Sequence, residues 1–451
     1  MTDRERIPTP LLKKRLPSGR GAMLQPNATG DGEAQLTARF WALVIVTGIV
    51  TGFFGVLLML ILFTVEHAAF GVSSDGQGFS AAVAAADGWR RVTPLLIGGV
   101  IAGVGWFLLR RFTPGRKSEA DEVLWTGEGR LSFRRSLGTS VLSEIVIGLG
   151  ASLGREAAPK LMGAVSGSVA AEWAGMSAAQ QRLLVACGGG AGLAAVYNVP
   201  LGGALFAAEV LMGAVALPLV LPALACAATA TAVAWVYLPE HATYLDIPEY
   251  RFDLRLLVWA AVLGPIVGIV AAGYIRVIGW ISHHQARGRW VLIAPLIAFA
   301  VLAGVAVAFP QLYGNGKGMA HDAFVGVGSI GLLVALAVLK PLVTALCLGA
   351  GASGGLFTPV MSTGAVLGAA LGIAWSQVWP GSPIGAYALI GAAAMIGAGM
   401  QAPLAALVLV LELTHSGFGL MVPMMVATVI ATAITRWIDG YSIYTARLSS
   451  A

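Results

Sequence analysis

The chain has 451 residues, of which 57% are hydrophobic and only 11% are charged, and it contains 59 glycines. This composition excludes an ordinary soluble globular domain, because a surface that faces water needs more charged side chains than these. The net charge of +6 follows the pattern of membrane topology described next, and it does not indicate nucleic-acid binding. The sequence predicts an all-α polytopic membrane protein.

A basic, proline-bearing tail occupies residues 1–39, and the first apolar segment starts only at Phe40. We do not expect a cleaved signal peptide here, because the apolar core of such a peptide directly follows its basic residues. Four further basic residues lie between 110 and 117, just after the second apolar segment. Loops rich in Lys and Arg face the cytoplasm, so the tail and this loop are both predicted to be cytoplasmic.

Several apolar segments are long enough to cross roughly 30 Å of hydrocarbon as helices. They include residues 41–63, 93–109, 327–348 and 417–435. Segments 183–197 and 359–375 are shorter and richer in glycine, which indicates half-helices or buried, tilted helices. In total we expect about fourteen to eighteen helical pieces.

The second half of the chain repeats the pattern of the first about two hundred residues later. Residues 154–159 read Gly-Arg-Glu-Ala-Ala-Pro, and residues 354–359 read Gly-Gly-Leu-Phe-Thr-Pro. An Asn-Val-Pro-Leu segment at 198–201 has a Gln-Ala-Pro-Leu counterpart at 401–404, and each is followed by a glutamate. A two-fold repeat of interrupted apolar helices is typical of a transporter or channel whose ion site lies between the halves.

The repeat divides the chain into five predicted parts. Residues 1–39 form the cytoplasmic basic tail, and residues 40–238 form the first membrane repeat. A polar linker, 239–254, separates it from the second membrane repeat, 255–437. Residues 438–451 form a C-terminal segment.

Charged residues within the apolar segments are the best functional candidates, since each costs about 2.5–3.5 kcal/mol at the centre of a membrane helix on insertion scales. These residues are Glu144, Arg155, Glu156, Lys160, Glu209, Lys340 and Glu412.

Glu156 is the most informative of them, because it follows Gly154 immediately before a predicted helix start. Free N–H groups at a helix N-terminus bind anions. A glutamate there would occupy an anion site when ionised and leave when protonated, which would make it a gate. The alternative is a carboxylate that caps its own helix or pairs with Arg155.

The counterpart in the second half carries no charge. After Gly354 and Gly355, the backbone amides of Leu356 and Phe357 are predicted to face a small anion. Glu209 and Glu412 occupy equivalent places in the two halves, and we expect a shared structural task such as bonding loop amides. Lys340 either adds positive potential near the pathway or marks the end of a span.

The side chains of this chain do not predict a metal site, a cofactor or an enzyme. The three cysteines lie in apolar stretches without metal-ligand spacing, and we expect buried packing roles for them. A membrane enzyme with Glu156 or His67 as acid or base would need a convergent nucleophile and orienting groups, which do not occur at motif spacing.

From these motifs the chain resembles the CLC chloride channels and chloride/proton exchangers, across residues 40–448. The Gly-Arg-Glu phrase is similar to the family's Gly-Lys/Arg-Glu-Gly-Pro motif, and Gly355-Leu356-Phe357-Thr358-Pro359 to its Gly-x-Phe-x-Pro motif. Residues 198–203 resemble the family's Asn-x-Pro-Leu-x-Gly stretch, and Tyr444 stands where the family has its pore tyrosine. These phrases argue against the remaining alternative, a sodium-coupled symporter with inverted repeats.

The resemblance implies two inverted-topology repeats with broken, tilted helices, a homodimer with one anion pathway per subunit, and a bacterial-type inner membrane with both termini cytoplasmic. It implies that Glu156 is the gate. It also implies that the amides of Leu356 and Phe357 and the hydroxyl of Tyr444 bind the permeant chloride.

Three departures from the family pattern bear on mechanism. The first signature, Gly-Ser-Gly-Ile-Pro, is replaced by a sequence in which only Ser118 is left as a candidate chloride ligand. Ala157 and Ala158 replace the usual Gly-Pro after the gate glutamate. Val210 stands where exchangers commonly have an internal glutamate, and valine carries no proton. The phrase around it resembles a bacterial subgroup described as voltage-gated chloride channels. The sequence therefore favours passive, gated chloride conduction, with chloride/proton exchange as the alternative.

Overall fold

The computed structural model describes residues 34–72, 78–113, 124 and 131–448. Sixteen α-helices lie within these residues, and eight of them are long and apolar enough to cross a membrane. The predicted chloride ligand Ser118 lies outside the described residues.

Eight helices belong to the first half of the chain. They are α1 (Ala38–Phe70), α2 (Phe79–Ala85), α3 (Gly88–Phe112), α4 (Phe133–Gly148), α5 (Ala157–Trp173), α6 (Ala178–Tyr197), α7 (Pro200–Leu205) and α8 (Leu217–Ala234). A π-helical turn, Phe206–Leu211, continues α7 and carries both Glu209 and Val210.

The second half contributes the other eight. They are α9 (Leu254–His283), α10 (Trp290–Ala308), α11 (Lys317–Phe324), α12 (Ile330–Gly349), α13 (Phe357–Trp375), α14 (Ile384–Met400), α15 (Pro403–Thr414) and α16 (Met421–Ile438). Residues 239–253 contain no helix and connect the halves, and Asp253 caps α9 by accepting a hydrogen bond from Arg255 N–H.

Two predicted segments differ from the helices observed. Segment 183–197 was expected to be a half-helix or a buried, tilted helix, and it forms the buried part of α6, which has 20 residues. Its start is earlier because Ser177 and Gln180 form a capping box, which fixes the first turn. Segment 327–348 was expected to be helical throughout, but α12 starts at Ile330, since Gly328 has a positive φ and Ser329 caps the helix.

Glycine allows two pairs of buried helices to approach closely, in the same way in both halves. Where α5 crosses α6, a Cβ on Gly163 would lie 2.0 Å from the carbonyl oxygen of Gly188. Where α13 crosses α14, a Cβ on Gly391 would lie 2.4 Å from the carbonyl oxygen of Gly364. Larger residues would separate each pair, as at other helix crossings built on small residues in membranes. These two pairs hold the loops that precede α5 and α13.

Candidate functional site

The loops that precede α5 and α13 meet through a short antiparallel bridge. Gly154 N–H donates to Gly355 C=O at 2.8 Å, and Gly355 N–H donates to Gly154 C=O at 2.6 Å. The two equivalent sequence motifs of the repeat, residues 154–159 and 354–359, are therefore in direct contact. The bridge fixes the start of α5 against the start of α13.

The carboxylate of Glu156 lies in the space formed by this contact and is buried, with 3% of the residue exposed. Phe357 N–H donates to Glu156 Oε1 at 2.7 Å. The hydroxyls of Tyr197 and Thr358 both lie 3.2 Å from Glu156 Oε2, and they lie 2.8 Å from each other. One backbone amide and two neutral hydroxyls thus surround the carboxylate.

These contacts argue against the alternative interpretation of Glu156 given above, while its role as a gate remains a prediction. The side chain makes no capping bond to its own helix, α5. It accepts instead from the first residue of α13, in the opposite repeat, where the helix dipole favours a negative charge. Arg155 points elsewhere, since its guanidinium carbon lies 6.0 Å from the ring centroid of Phe63 and 5.0 Å from that of Tyr197.

Gly154 and Gly355 are required by the position of this carboxylate. A Cβ on Gly355 would lie 2.0 Å from Glu156 Oε1, and a Cβ on Gly154 would lie 2.2 Å from the same atom. Both distances are far below van der Waals contact. The motif glycines predicted from the sequence therefore leave the space in which the Glu156 side chain lies. Gly354 serves packing instead, since a Cβ there would meet the side chain of Leu153.

Leu356 and Phe357 are buried at the start of α13. Tyr444 is also buried, and its hydroxyl lies 3.8 Å from Met400 Sδ. Its ring packs edge-to-face on Phe206, with the ring centroids 5.9 Å apart. Their roles as chloride ligands remain predictions.

Sequence reasoning missed two residues that contact Glu156, namely Tyr197 and Thr358. The repeat contains a signal for Tyr197. It ends α6 just before the Asn-Val-Pro-Leu segment, and its counterpart, Met400, ends α14 just before Gln-Ala-Pro-Leu and contacts Tyr444. The last residues of the two equivalent helices thus contact Glu156 and the predicted pore tyrosine, respectively.

Lys160 lies one turn after Glu156 on α5, so both side chains are on the same face of this helix. Its Nζ is 4.5 Å from the ring centroid of Tyr444 and 5.9 Å from that of Phe206. Cation–π attraction of this kind is worth about 0.5–2 kcal/mol, depending on desolvation. A fixed positive charge therefore stands beside the predicted pore tyrosine, a role that the sequence did not assign to Lys160.

Glu209 of the first half caps the start of α15 in the second half, and Glu412 of the second half caps the start of α7 in the first. Leu404 and Ala405 donate their N–H groups to Glu209 at 3.3 and 2.7 Å. Leu201 and Gly202 donate theirs to Glu412 at 3.0 and 2.6 Å. The expected shared structural task is confirmed, although the amides belong to the first turns of α7 and α15 and not to loops.

We expect Glu209→Ala and Glu412→Ala to lower the thermal stability of the purified protein by similar amounts. Each substitution leaves two backbone amides of the opposite repeat without their charged acceptor, at a cost of about 0.5–2 kcal/mol, the range for loss of a helix cap. Thermal unfolding in detergent measures the effect, with Glu240→Ala, at an exposed position, as the control. Unchanged unfolding temperatures for both variants would show that the cross-repeat caps contribute no stability.

Lys340 lies inside α12, fully buried, and does not mark the end of a span. Its ammonium donates to Ser152 Oγ at 2.8 Å and to Gly314 C=O at 2.7 Å. Ser152 lies two residues before Gly154, so this lysine supports the loop that carries Glu156. The three cysteines are buried and free, and no group of metal ligands is found in the part of the chain that the structure describes.

A carboxylate held at a helix N-terminus, between two repeats of membrane-crossing helices, defines a class of protein that moves ions across membranes. The voltage gated chloride channel family model, Voltage_CLC, matches residues 96–436. The chain therefore belongs to the CLC family.

Some relatives within this family are named as channels and others as exchange transporters. The chain is 30% identical over 386 residues to the "Putative chloride channel protein ClcB-like" of Ralstonia nicotianae, covering 83% of this chain and 89% of that protein. It is 30% identical over 435 residues to the "H(+)/Cl(-) exchange transporter ClcA" of Yersinia pseudotuberculosis, covering 90% and 86%.

Among solved structures, a slow cyanobacterial Cl⁻/H⁺ antiporter superposes with a TM-score of 0.78 at 22% identity, covering 91% of this chain and 97% of that chain. This similarity establishes the CLC-type fold of two inverted repeats that the sequence predicts.

Proposed function

We propose that this protein exchanges chloride for protons across a membrane, with Glu156 as the group that competes with chloride and carries the proton. The observation that carries this proposal is the position of its carboxylate, bound to Phe357 N–H and to neutral hydroxyls. Because these groups are all hydrogen-bond donors without a full charge, the position that the carboxylate occupies can also bind a halide. Chloride and the ionised side chain then exclude each other.

Protonation changes this competition. A protonated Glu156 has no charge for the N-terminus of α13 to stabilise, so its side chain leaves and chloride takes the Phe357 amide. When the proton is released, the carboxylate returns and displaces the anion. The proposed chloride ligands are the amides of Leu356 and Phe357 and the hydroxyl of Tyr444, with Lys160 adding positive potential beside Tyr444.

The relatives support exchange more than passive conduction. The Yersinia protein is named an exchange transporter, and the cyanobacterial structure that shares the fold is an antiporter. The second candidate is a passive chloride channel gated by Glu156. It is favoured by Val210, which is buried in the π-helical turn and has no group to carry a proton, and by the channel name of the Ralstonia relative.

A location in the bacterial inner membrane, cytoplasmic termini and a homodimer belong to the same proposal. They rest on the family and on the basic residues of the tail, which follow the positive-inside pattern.

Chloride-driven proton movement tests exchange against conduction. Proteoliposomes loaded with high chloride and diluted into low chloride, with equal potassium on both sides and valinomycin to carry the compensating charge, should move protons inward as chloride leaves. We expect internal acidification that continues against the developing pH gradient and collapses on addition of a protonophore. A channel would allow no proton movement under these conditions beyond that of empty vesicles.

A further inference from the structure

A second buried carboxylate, that of Glu144, lies near the site and has no role in the proposed exchange so far. Glu144 belongs to α4 and is 0% exposed. Neither of its carboxylate oxygens has a hydrogen-bond partner among the residues that the structure describes. An ionised carboxylate in this position would pay a desolvation cost that no hydrogen bond offsets.

The surroundings of Glu144 come from three elements. On one side α4 packs on α1, since a Cβ on Gly148 would lie 3.2 Å from the carbonyl oxygen of Leu62. Glu144 lies one turn before Gly148, and Glu66 lies one turn after Leu62, so both acids lie on the faces that α4 and α1 turn toward each other. On another side α3 packs on α4 through apolar contacts, such as that of Gly105 with Leu142.

Arg155, in the loop before α5, is the third charged residue near Glu144 and Glu66. Its guanidinium lies beside the Phe63 ring on α1, and it interacts electrostatically with both Glu66 and Glu144. Glu144 also interacts electrostatically with Glu156 and with Glu66. Glu66, near the end of α1 and 8% exposed, is additionally attracted by Lys317.

The charges around Glu144 favour its protonated form. Glu66 and Glu144 share Arg155 as their common cation, Lys317 also attracts Glu66, and Lys340 interacts with Glu156. Arg155 is the one cation that interacts with Glu144, and the like charges of Glu66 and Glu156 disfavour ionisation of Glu144. Glu144 has no hydrogen bond to its charged form, and so it is the member that holds a proton most readily.

We propose that Glu144 is a proton-binding site of the exchange cycle, which passes its proton to Glu156 and is refilled from the Glu66 side. This inference rests on the proposed exchange function. In the transfer, the O–H bond of the Glu144 carboxyl breaks and a new O–H bond forms on the Glu156 carboxylate. The remaining Glu144 carboxylate faces Arg155 until the next proton arrives through Glu66. Protons thereby reach Glu156 from the side of the membrane on which α1 ends, opposite the basic tail.

Glu144→Gln tests the proposal, because glutamine keeps the shape of the side chain but neither takes up nor releases a proton. In the chloride-driven assay we expect proton flux to fall by roughly tenfold or more, as for loss of a positioned proton-transfer group, while chloride flux changes by less than about twofold. Glu144→Asp, which keeps a titratable group, should restore part of the proton flux. Glu240→Gln, at an exposed position, is the control.

A Glu144→Gln protein that moves as many protons per chloride as the unchanged protein overturns the inference and leaves exchange intact. If the unchanged protein moves no protons, exchange itself fails and this inference fails with it. If the glutamine variant does not fold, Glu144→Asp decides alone. The inference then requires a slower proton flux at unchanged chloride flux, and an equal effect on both fluxes indicates a merely structural acid.

Discussion

Replacing Glu156 with glutamine should abolish chloride-driven proton movement while chloride flux continues. Glutamine is close in shape to the protonated acid, and it has no charge to hold it at the N-terminus of α13. Its amide oxygen retains at most a neutral hydrogen bond to Phe357 N–H, which is about half as strong as a charge-assisted one. Proton flux should therefore fall to that of empty vesicles, and chloride flux should lose its dependence on pH.

The assay uses a pH electrode for protons and a chloride electrode for anions on the same vesicle preparation. Glu240→Gln, an exposed glutamate of the linker, is the matched control and should behave as the unchanged protein. Proton movement that persists in Glu156→Gln would mean that another group carries the proton. Chloride flux with unaltered pH dependence would remove Glu156 from gating as well.

A second large effect should come from a single methyl group. Gly355→Ala places a Cβ 2.0 Å from Glu156 Oε1, where the carboxylate now lies. The carboxylate must leave this position, since the backbone that carries the Cβ is held by its hydrogen bonds to Gly154. We expect chloride flux to become nearly independent of pH and proton coupling to be lost, as in Glu156→Gln.

A double-mutant cycle separates this effect from general distortion of the loop. If Gly355→Ala acts by displacing the carboxylate, it should change chloride flux little when Glu156 is already alanine, so the two effects are strongly non-additive. Equal losses in the presence and absence of the Glu156 side chain would indicate that the methyl group disrupts the bridge itself. Gly354→Ala, which meets Leu153 instead, is the neighbouring comparison.

The sequence predicted the elements of this site well because its signals are local. A glycine before a helix start, repeated in both halves, indicates a chain break and a free helix N-terminus whatever the helix packs against. Glu156, Leu356 and Phe357 were found on that ground, and the structure brings them together. The structural task of Glu209 and Glu412 followed from their equivalence in the repeat.

What the sequence did not predict is which helices face one another. Glu209 bonds amides of the opposite repeat, and Glu66 reaches Arg155 from a helix about ninety residues earlier in the chain. Apolar membrane helices carry little periodicity to show which face is buried, since lipid and protein interior are both apolar. The placement of Lys160 beside Tyr444 depends on the same long-range packing.

The choice between conduction and exchange cannot be made from one position in the chain. Val210 was given weight because a proton acceptor is commonly found at that place, but the π-helical turn only shows that valine is buried there. The members of the cluster of Glu66, Glu144 and Arg155 come from α1, α4 and the loop before α5, and spacing along the chain does not indicate it. The path that a proton can take depends on which titratable side chains the fold brings together.

The reversal potential of the unchanged protein is the most direct test of exchange. Vesicles are prepared with equal chloride on both sides and a pH difference across the membrane, and the voltage at which net flux stops is measured. Exchange predicts a reversal potential displaced from zero, in the direction set by the proton gradient, and a return to zero in Glu156→Gln. A reversal potential that stays at the chloride equilibrium value for every imposed pH difference would contradict exchange and identify the protein as a passive chloride channel.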